Sequence, residues 1–336
     1  MKLGRRDALK AGVGMGALLG APAIVQAQAA LKLPLATVWP DGNFHTINAK
    51  KFAEEVKTGT SGAVEIDVKS GGQLGFKGPE QLRAVRDGLV PMADILNIQQ
   101  IGDEPIMGVE GIPFISKNIE ELKVLHKYIR PEYEKVALKN NQTILYMVPW
   151  PTQYLHMKVK TDSVEGFKGL KVRCPDRNAQ EMVTALGMVG VLIPWGETVP
   201  ALASGAVVGV STSASSGVDG KFWEFLKYFY QTNHSWSCQI VTVNLDTWSK
   251  LPAEHRRAME DLGKSLEPQF WDVSVENDAV SSKRLVEGGM ELIKPSPTMV
   301  KELQTRTAGL KDAFIKRVGG PSADIIAKYE KEVGRA

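Results

Sequence analysis

The fold class is decided by three apolar segments: LKLPLATV at residues 31–38, GAVEIDV at 62–68 and MADIL at 92–96. The first two alternate apolar and polar side chains, and the third is a short apolar run, as is typical of β-strands. A helix that ends near Lys57 is predicted between the first two, and residues 79–86 form a second predicted helix. Strands that alternate with helices predict an α/β domain with a largely parallel sheet.

A second series of the same kind begins near Tyr154. Its predicted strands and helices alternate as strand 170–173, helix 178–186, strand 190–193, helix 197–204 and strand 206–210. A long β-rich segment, Trp236–Asn244, follows them. The last third of the chain is mostly helical, with helices predicted over 253–262, 270–288, 298–316 and 322–333. Because no flexible tether separates the two series, we expect two lobes joined by a hinge.

The first 29 residues have the composition of a secretory signal peptide. A basic head precedes the weakly apolar stretch 11–25, and Ala27-Gln28-Ala29 is a small-residue cleavage pattern. The pair Arg5-Arg6 resembles a twin-arginine signal. We therefore expect export to the periplasm, by the twin-arginine route, and a mature chain that begins at Ala30.

Charge excludes nucleic acid as a partner. The leader carries a net charge of +3, from Lys2, Arg5, Arg6 and Lys10 against Asp7, and the whole 336-residue chain also carries +3. The mature chain is therefore nearly neutral and lacks the basic excess of nucleic-acid-binding proteins. After Ala30, no run of residues has the length and apolarity of a membrane span.

The sequence contains no signal for catalysis. It has no GxSxG nucleophile motif, and no two of its five histidines have metal-ligand spacing. We therefore expect no enzymatic activity and no cofactor. The sequence has no signal for a metal site, and whether a cation assists ligand binding is left open. Cys174 and Cys238 are the only cysteines, and whether they pair is left open, because two cysteines do not make a disulfide framework.

An ordered set of short motifs carries a resemblance to a known family. FAEEV at 52–56, GGQLG at 71–75, GIPF at 111–114, FKGLKVR at 167–173 and the residues around 201–209 follow one another in the family's order. Each motif is weak alone, but together they span nearly the whole mature chain. The chain resembles the substrate-binding proteins of tripartite ATP-independent periplasmic (TRAP) transporters.

The resemblance implies an α/β fold of the periplasmic-binding-protein type, with two lobes, hinge crossings and a long helix that bridges the lobes. On this basis, lobe I comprises residues 30–152 and 242–282, and lobe II comprises 153–241 and 283–336. The resemblance also implies closure around a small carboxylate, delivery to an integral membrane permease, and a carboxylate-holding arginine at the end of the FKGLKVR segment, which is Arg173. We expect a monomer.

The sequence departs from the family pattern at two places. Residues 153–156 read QYLH, where the family often has an arginine, and Thr212 replaces a common asparagine. Both changes make a sugar acid a less favoured ligand, because such acids need more polar partners.

Further ligand-binding candidates were chosen because they follow predicted strands or lie in loops, where open α/β sheets bind ligands. The aromatic candidates are Trp39, Phe44, Trp150, Tyr154, Trp195 and Trp236. The polar candidates are His45, Asn97, Gln99, Thr212 and Ser213. One arginine among aromatic side chains favours an aromatic or branched 2-oxo or 2-hydroxy monocarboxylate. A short 2-oxo acid such as pyruvate, a sugar acid, and a sensor role without transport remain alternatives.

Overall fold

The computed structural model describes residues 30–335, so the leader and its expected cleavage site lie outside the described residues. The first of its two sheets has the strand order β2-β1-β3-β10-β4. These strands are β1 (Leu31–Ala36), β2 (Val64–Lys69), β3 (Met92–Leu96), β4 (Gln142–Pro149) and β10 (Cys238–Asn244). β1 runs parallel to β2 and β3, whereas β10 is antiparallel to both of its neighbours.

The second sheet has the order β11-β9-β5-β8-β6-β7. Its strands are β5 (Gln153–Met157), β6 (Lys171–Cys174), β7 (Val189–Leu192), β8 (Gly209–Ser213), β9 (Tyr228–Tyr230) and β11 (Glu291–Ile293). β8 begins later than the predicted strand 206–210, because Gly205 has a positive φ of 72° and ends the preceding helix in a turn. The strands β9 and β11 were not predicted, and each is only three residues long.

Helices cover both sheets. They are α1 (Phe44–Gly59), α2 (Gln81–Arg86), α3 (Ile119–Lys139), α4 (Arg177–Ala185), α5 (Trp195–Ala203), α6 (Ala214–Asp219), α7 (Leu245–Lys250), α8 (Ala253–Glu287), α9 (Pro297–Thr307), α10 (Leu310–Val318) and α11 (Ser322–Glu332). The structure confirms the predicted α/β class and the predicted long bridging helix, which is α8.

The bridging helix α8 is continuous, whereas the sequence predicted two helices over 253–262 and 270–288. Pro268 lies inside it, and packing against both lobes stabilises the helix across a residue that normally interrupts one. Met259 and Phe270 belong to the core of the first lobe, and Leu285 belongs to the core of the second. One rigid element therefore contributes to both cores.

The sheets differ from the predicted lobe boundaries at two places. Residues 238–241, assigned to lobe II, form part of β10 in the first sheet. The C-terminal helix α11, also assigned to lobe II, packs on α3 of the first lobe through Ile325, Ile326 and Tyr329. Neither placement could be predicted from local patterns, because each depends on pairing between distant segments.

The two extended crossings between the sheets are hydrogen-bonded to each other. Trp150 N donates to Ser237 O at 2.8 Å, and Gln153 N donates to Ser235 O at 3.0 Å. Ser274 of α8 donates to Pro149 O at 2.6 Å and so attaches the bridging helix beside them. The hinge is thus built from two strands and one helix.

The two cysteines lie in different sheets, Cys174 in β6 and Cys238 in β10, and both are buried and free. The pairing that the sequence left open does not occur in this structure.

His156 lies in the core of the second lobe. Its Nε2 is 3.2 Å from Thr212 O, and its ring stacks on Phe229 with the ring centroids 5.9 Å apart. Burial lowers the pKa of His156 to about 4, so the side chain is neutral in the folded protein near pH 7.

Gly263 of α8 sets how closely this helix approaches β4. A Cβ at this position would overlap the carbonyl oxygen of Leu145, so we expect Gly263→Ala to lower the free energy of unfolding by about 1–3 kcal/mol. Chemical denaturation measures the change. Ser265→Ala on the exposed face of the same helix is the control, with an expected change within about 0.5 kcal/mol. Equal effects of the two substitutions would contradict the close approach.

The buried neutral His156 makes stability depend on pH. In the unfolded chain, His156 is protonated below its ordinary pKa of 6.5. In the folded chain, burial delays its protonation until about pH 4. Wild type should therefore lose stability relative to His156→Gln as the pH falls through this window, by up to about 1.4 kcal/mol per pH unit. Urea unfolding of both proteins measures the difference. It should be constant above about pH 7, and a difference that also stays constant below pH 6.5 would refute the assignment.

Candidate functional site

Arg173 lies in β6 of the second lobe and is only 2% exposed. Its Nε donates to Ile193 O at 2.9 Å. Among residues 30–335, this guanidinium has no ion-pair partner and no other hydrogen bond. Burial lowers the pKa of Arg173 to about 10, which still leaves it positively charged near pH 7.

Asp176 is the acidic side chain whose charge acts on Arg173, but its carboxylate is engaged elsewhere. Its Oδ1 accepts the backbone N–H groups of Asn178 and Ala179 at 2.7 and 3.2 Å and so caps helix α4. Burial raises the pKa of Asp176 to about 7, so its negative charge is incomplete near neutral pH. The positive charge of Arg173 is therefore left largely without a protein counter-ion.

An aromatic cluster joins the two lobes next to this region. The ring centroid of Trp39 lies 4.5 Å from that of Trp150 and 5.4 Å from that of Trp195. Trp39 and Trp150 belong to the first lobe, whereas Trp195 opens helix α5 of the second. The lobes thus meet through flat apolar side chains.

Phe44 and His45 extend this cluster on the first-lobe side. Their ring centroids lie 5.3 and 4.5 Å from that of Trp150. Burial holds the pKa of His45 well below its usual value, so its ring is neutral. Within the described residues, neither His45 Nε2 nor Trp39 Nε1 has a hydrogen-bond partner although both are buried. Buried polar atoms normally have partners.

A cleft of about 560 Å³ opens between the lobes beside Arg173. Gln99 and Ile98 line it from the first lobe, and Pro175 and Ile193 line it from the second. Ile193 is the residue whose carbonyl accepts from Arg173. The cleft therefore reaches the residue to which the buried guanidinium is hydrogen-bonded.

Two polar contacts hold the lobes together at the edge of the cleft. Asn43, the N-cap of α1, donates to Asp219 of α6 at 2.6 Å, and Lys77 lies 2.7 Å from Glu197 of α5. Burial raises the pKa of Asp219 to about 6. These contacts join the two lobes in the described conformation. No sequence pattern pointed to Asp219, because its partner lies in the other lobe.

Three of the candidate side chains point away from this region. Asn97 accepts from Cys238 N at 2.9 Å and donates to Met107 O at 3.1 Å, inside the first lobe. Trp236 donates to Ser116 O at 2.9 Å. Tyr154 donates to Asp278 of α8 at 2.8 Å.

Thr212 and Ser213 are buried in β8. The backbone carbonyl of Thr212 accepts from Nε2 of His156 at 3.2 Å, and Ser213 Oγ accepts from Ser216 N at 3.3 Å as the N-cap of α6. Of the other candidates, Gln99 lines the cleft, Arg173 is hydrogen-bonded to the cleft residue Ile193, and the aromatic cluster between the lobes contains Trp39, Phe44, His45, Trp150 and Trp195.

Over residues 30–335, none of the helices combines the length and apolarity needed to cross a bilayer.

Comparison with known proteins agrees with this geometry. The sequence profile of bacterial extracellular solute-binding protein family 7 (DctP) matches residues 35–317. The structure superposes on DctP7 of Bordetella pertussis, an extracytoplasmic solute receptor binding pyroglutamic acid. The TM-score is 0.87 at 28% identity, covering 90% of this chain and all of the other.

Two relatives are similar in sequence. The C4-dicarboxylate-binding periplasmic protein DctP of Rhodobacter capsulatus is 30% identical over 219 residues, 63% of this chain and 64% of that protein. The monocarboxylate 2-oxoacid-binding periplasmic protein of a Nostoc species is 25% identical over 311 residues, 84% and 81% of the two chains. The chain belongs to bacterial extracellular solute-binding protein family 7, the extracytoplasmic solute receptors of TRAP transporters.

Proposed function

We propose that this protein closes its two lobes around a compact monocarboxylate held by Arg173 and delivers it to a TRAP permease. The observation that carries the proposal is the buried guanidinium of Arg173, which has no ion pair in the described part of the chain. A buried charge without a partner is costly. A ligand carboxylate would supply the missing counter-ion.

The geometry of the two groups favours this pairing. A guanidinium presents parallel N–H donors that match the two oxygens of a carboxylate. Since Nε already donates to Ile193 O, the two terminal nitrogens remain for the ligand. Each charged hydrogen bond contributes about 1.5–3 kcal/mol, so the pair accounts for about 3–6 kcal/mol of binding free energy.

The surrounding side chains favour a ligand with a small, flat or branched apolar body. Trp39, Trp150 and Trp195 supply apolar surface from both lobes. The unpartnered Trp39 Nε1 and His45 Nε2 favour a ligand with a keto, hydroxyl or amide group next to the carboxylate. Aromatic and branched 2-oxo and 2-hydroxy acids fit this description, and so does pyroglutamate, the ligand of the Bordetella receptor.

A second carboxylate or a sugar chain fits less well. At the segment where the family often has a second arginine, this chain has His156, which burial keeps neutral and which packs inside the lobe. A dicarboxylate would therefore bring a second negative charge to a site with one arginine.

Closure supplies the coupling between binding and delivery. Shifting a two-state equilibrium from 1:99 to 99:1 requires about 5.5 kcal/mol of differential binding. A carboxylate held by the second lobe and covered by aromatic side chains of the first can contribute this amount, because both sets of contacts form together only when the lobes are closed. We propose that the protein does this as a monomer and without chemical conversion of the ligand.

Ligand identity and the role of Arg173 can be tested together by thermal shift and calorimetry. The panel contains pyroglutamate, phenylpyruvate, a branched 2-oxo acid, pyruvate, succinate and glucuronate. We expect a monocarboxylate to raise the melting temperature, and Arg173→Ala to weaken its binding by about 10²–10⁴-fold. Preferential binding of glucuronate or succinate would contradict the proposed ligand class.

Arg177→Ala is the matched control, because this arginine lines the same cleft but is exposed and pairs with Glu181 at 2.8 Å. Its removal should change affinity by less than about threefold. Arg173→Met adds a stability readout. Without ligand it should be at least as stable as wild type, since it removes a buried unpaired charge. A large loss of stability would instead indicate a structural arginine.

We also propose that the leader is read by the twin-arginine system. Replacing Arg5 and Arg6 with lysine in the full-length precursor should leave unprocessed protein in the cytoplasm, because that system recognises the arginine pair. Cell fractionation and immunoblotting measure the outcome. Lysine carries the same charge as arginine, so the net charge of the leader is unchanged. Normal export of the variant would indicate the general secretion route.

A further inference from the structure

Three potential metal ligands meet inside the first lobe, away from the proposed carboxylate site. Glu110 lies in the short helical turn Pro105–Gly111, His126 in α3 and Cys238 at the start of β10. One ligand atom from each lies within 4.8 Å of the other two. Glu110 and Cys238 are fully buried, and His126 is 8% exposed.

Three polar atoms of this cluster lack hydrogen-bond partners among the described residues. Glu110 Oε2 and both ring nitrogens of His126 are buried without a hydrogen bond to any described residue. His126 Nε2 lies only 3.3 Å from Glu110 Oε1, so the two groups are adjacent but not aligned with each other. Unpaired buried groups of this kind are rare in folded proteins. Three ligand atoms that lie close together, two of the residues having unpartnered polar atoms, are an arrangement that a metal ion would satisfy.

We propose that Glu110, His126 and Cys238 form a structural site for Zn²⁺ or a divalent cation of similar softness. Thiolate sulfur, imidazole nitrogen and carboxylate oxygen are the three ligand types that Zn²⁺ takes in proteins. Zn²⁺ with one thiolate, one carboxylate and a neutral imidazole has no net charge, which suits a buried site. The fourth tetrahedral position would be taken by a water molecule.

Neighbouring groups contact all three ligand residues. Asn97 donates to Glu110 Oε1 at 3.3 Å and accepts from the backbone N–H of Cys238 at 2.9 Å, so one amide links both ligands. The ring of Trp271 on α8 packs edge-on against that of His126, with the centroids 4.8 Å apart. Outer groups that fix ligand orientation in this way are typical of metal sites.

The position of the site gives it a structural consequence. Cys238 is the first residue of β10, directly after the crossing from the second lobe, and Trp236 N in that crossing donates to Glu110 O at 3.2 Å. A metal ion here would tie the end of the hinge crossing to α3 and so stabilise the first lobe. This role does not depend on which ligand the protein carries.

The site can be tested on mature protein prepared without a polyhistidine tag and refolded from denaturant with Zn²⁺ or Co²⁺, because the ligands are buried in the folded state. We expect about one metal ion per chain by elemental analysis. The Co²⁺ form should show a near-ultraviolet thiolate charge-transfer band. Zn²⁺ should also raise the melting temperature.

Cys174→Ser is the matched control, because Cys174 is the other buried free thiol and lies in the other sheet. It should keep the metal and the thiolate band, whereas Cys238→Ser should lose the band and Glu110→Gln should bind the metal at least about tenfold more weakly. Two results would overturn the proposal. One is that wild type contains no metal after refolding with the ion, which would mean that Glu110, His126 and Cys238 interact only through protons. The other is loss of the thiolate band in Cys174→Ser, which would mean that Cys174 and not Cys238 binds the metal. This second result can be read even if Cys238→Ser does not fold.

Discussion

The constraint on which the rest of the structure depends is the hinge made by two crossings and one helix. The crossings are hydrogen-bonded to each other through Trp150, Ser235 and Ser237, and α8 is attached beside them at Pro149. Because α8 contributes Phe270 to one core and Leu285 to the other, the lobes cannot separate without disturbing both cores. They can only change their relative orientation, and this is the motion that a solute receptor needs.

The two lobes joined by this hinge contribute different kinds of side chain: a buried arginine from the second lobe and mainly aromatic residues from the first. Arg173 is fixed in a strand of the second lobe with its guanidinium buried and without an ion pair among residues 30–335. The aromatic cluster between the lobes comes mainly from the first lobe. If the proposed site holds a carboxylate, neither lobe alone would both neutralise and cover it. The proposed site would then be complete only in a closed state, and ligand binding would favour that state.

The proposed metal site would act at the other end of the same hinge. The crossing that begins at the end of β9 reaches β10 at Cys238, and the backbone of Trp236 in this crossing is hydrogen-bonded to Glu110. A cation held by Glu110, His126 and Cys238 would make the first lobe a firmer base for the moving second lobe. The solute site and the metal site would then have separate tasks.

The sequence by itself determined the α/β class and the family, the resemblance to that family implied two lobes and a bridging helix, and Arg173 and several aromatic residues were named as site candidates. These follow from local apolar periodicity and from motifs whose order along the chain is preserved. Only the tertiary structure decided that α8 continues through Pro268, that α11 returns to the first lobe, and that Asn97 and Trp236 bond inside the protein. It alone brought Glu110, His126 and Cys238 together. The reason is physical: these features depend on packing and hydrogen bonds between segments far apart in the chain, and local patterns carry no information about such partners.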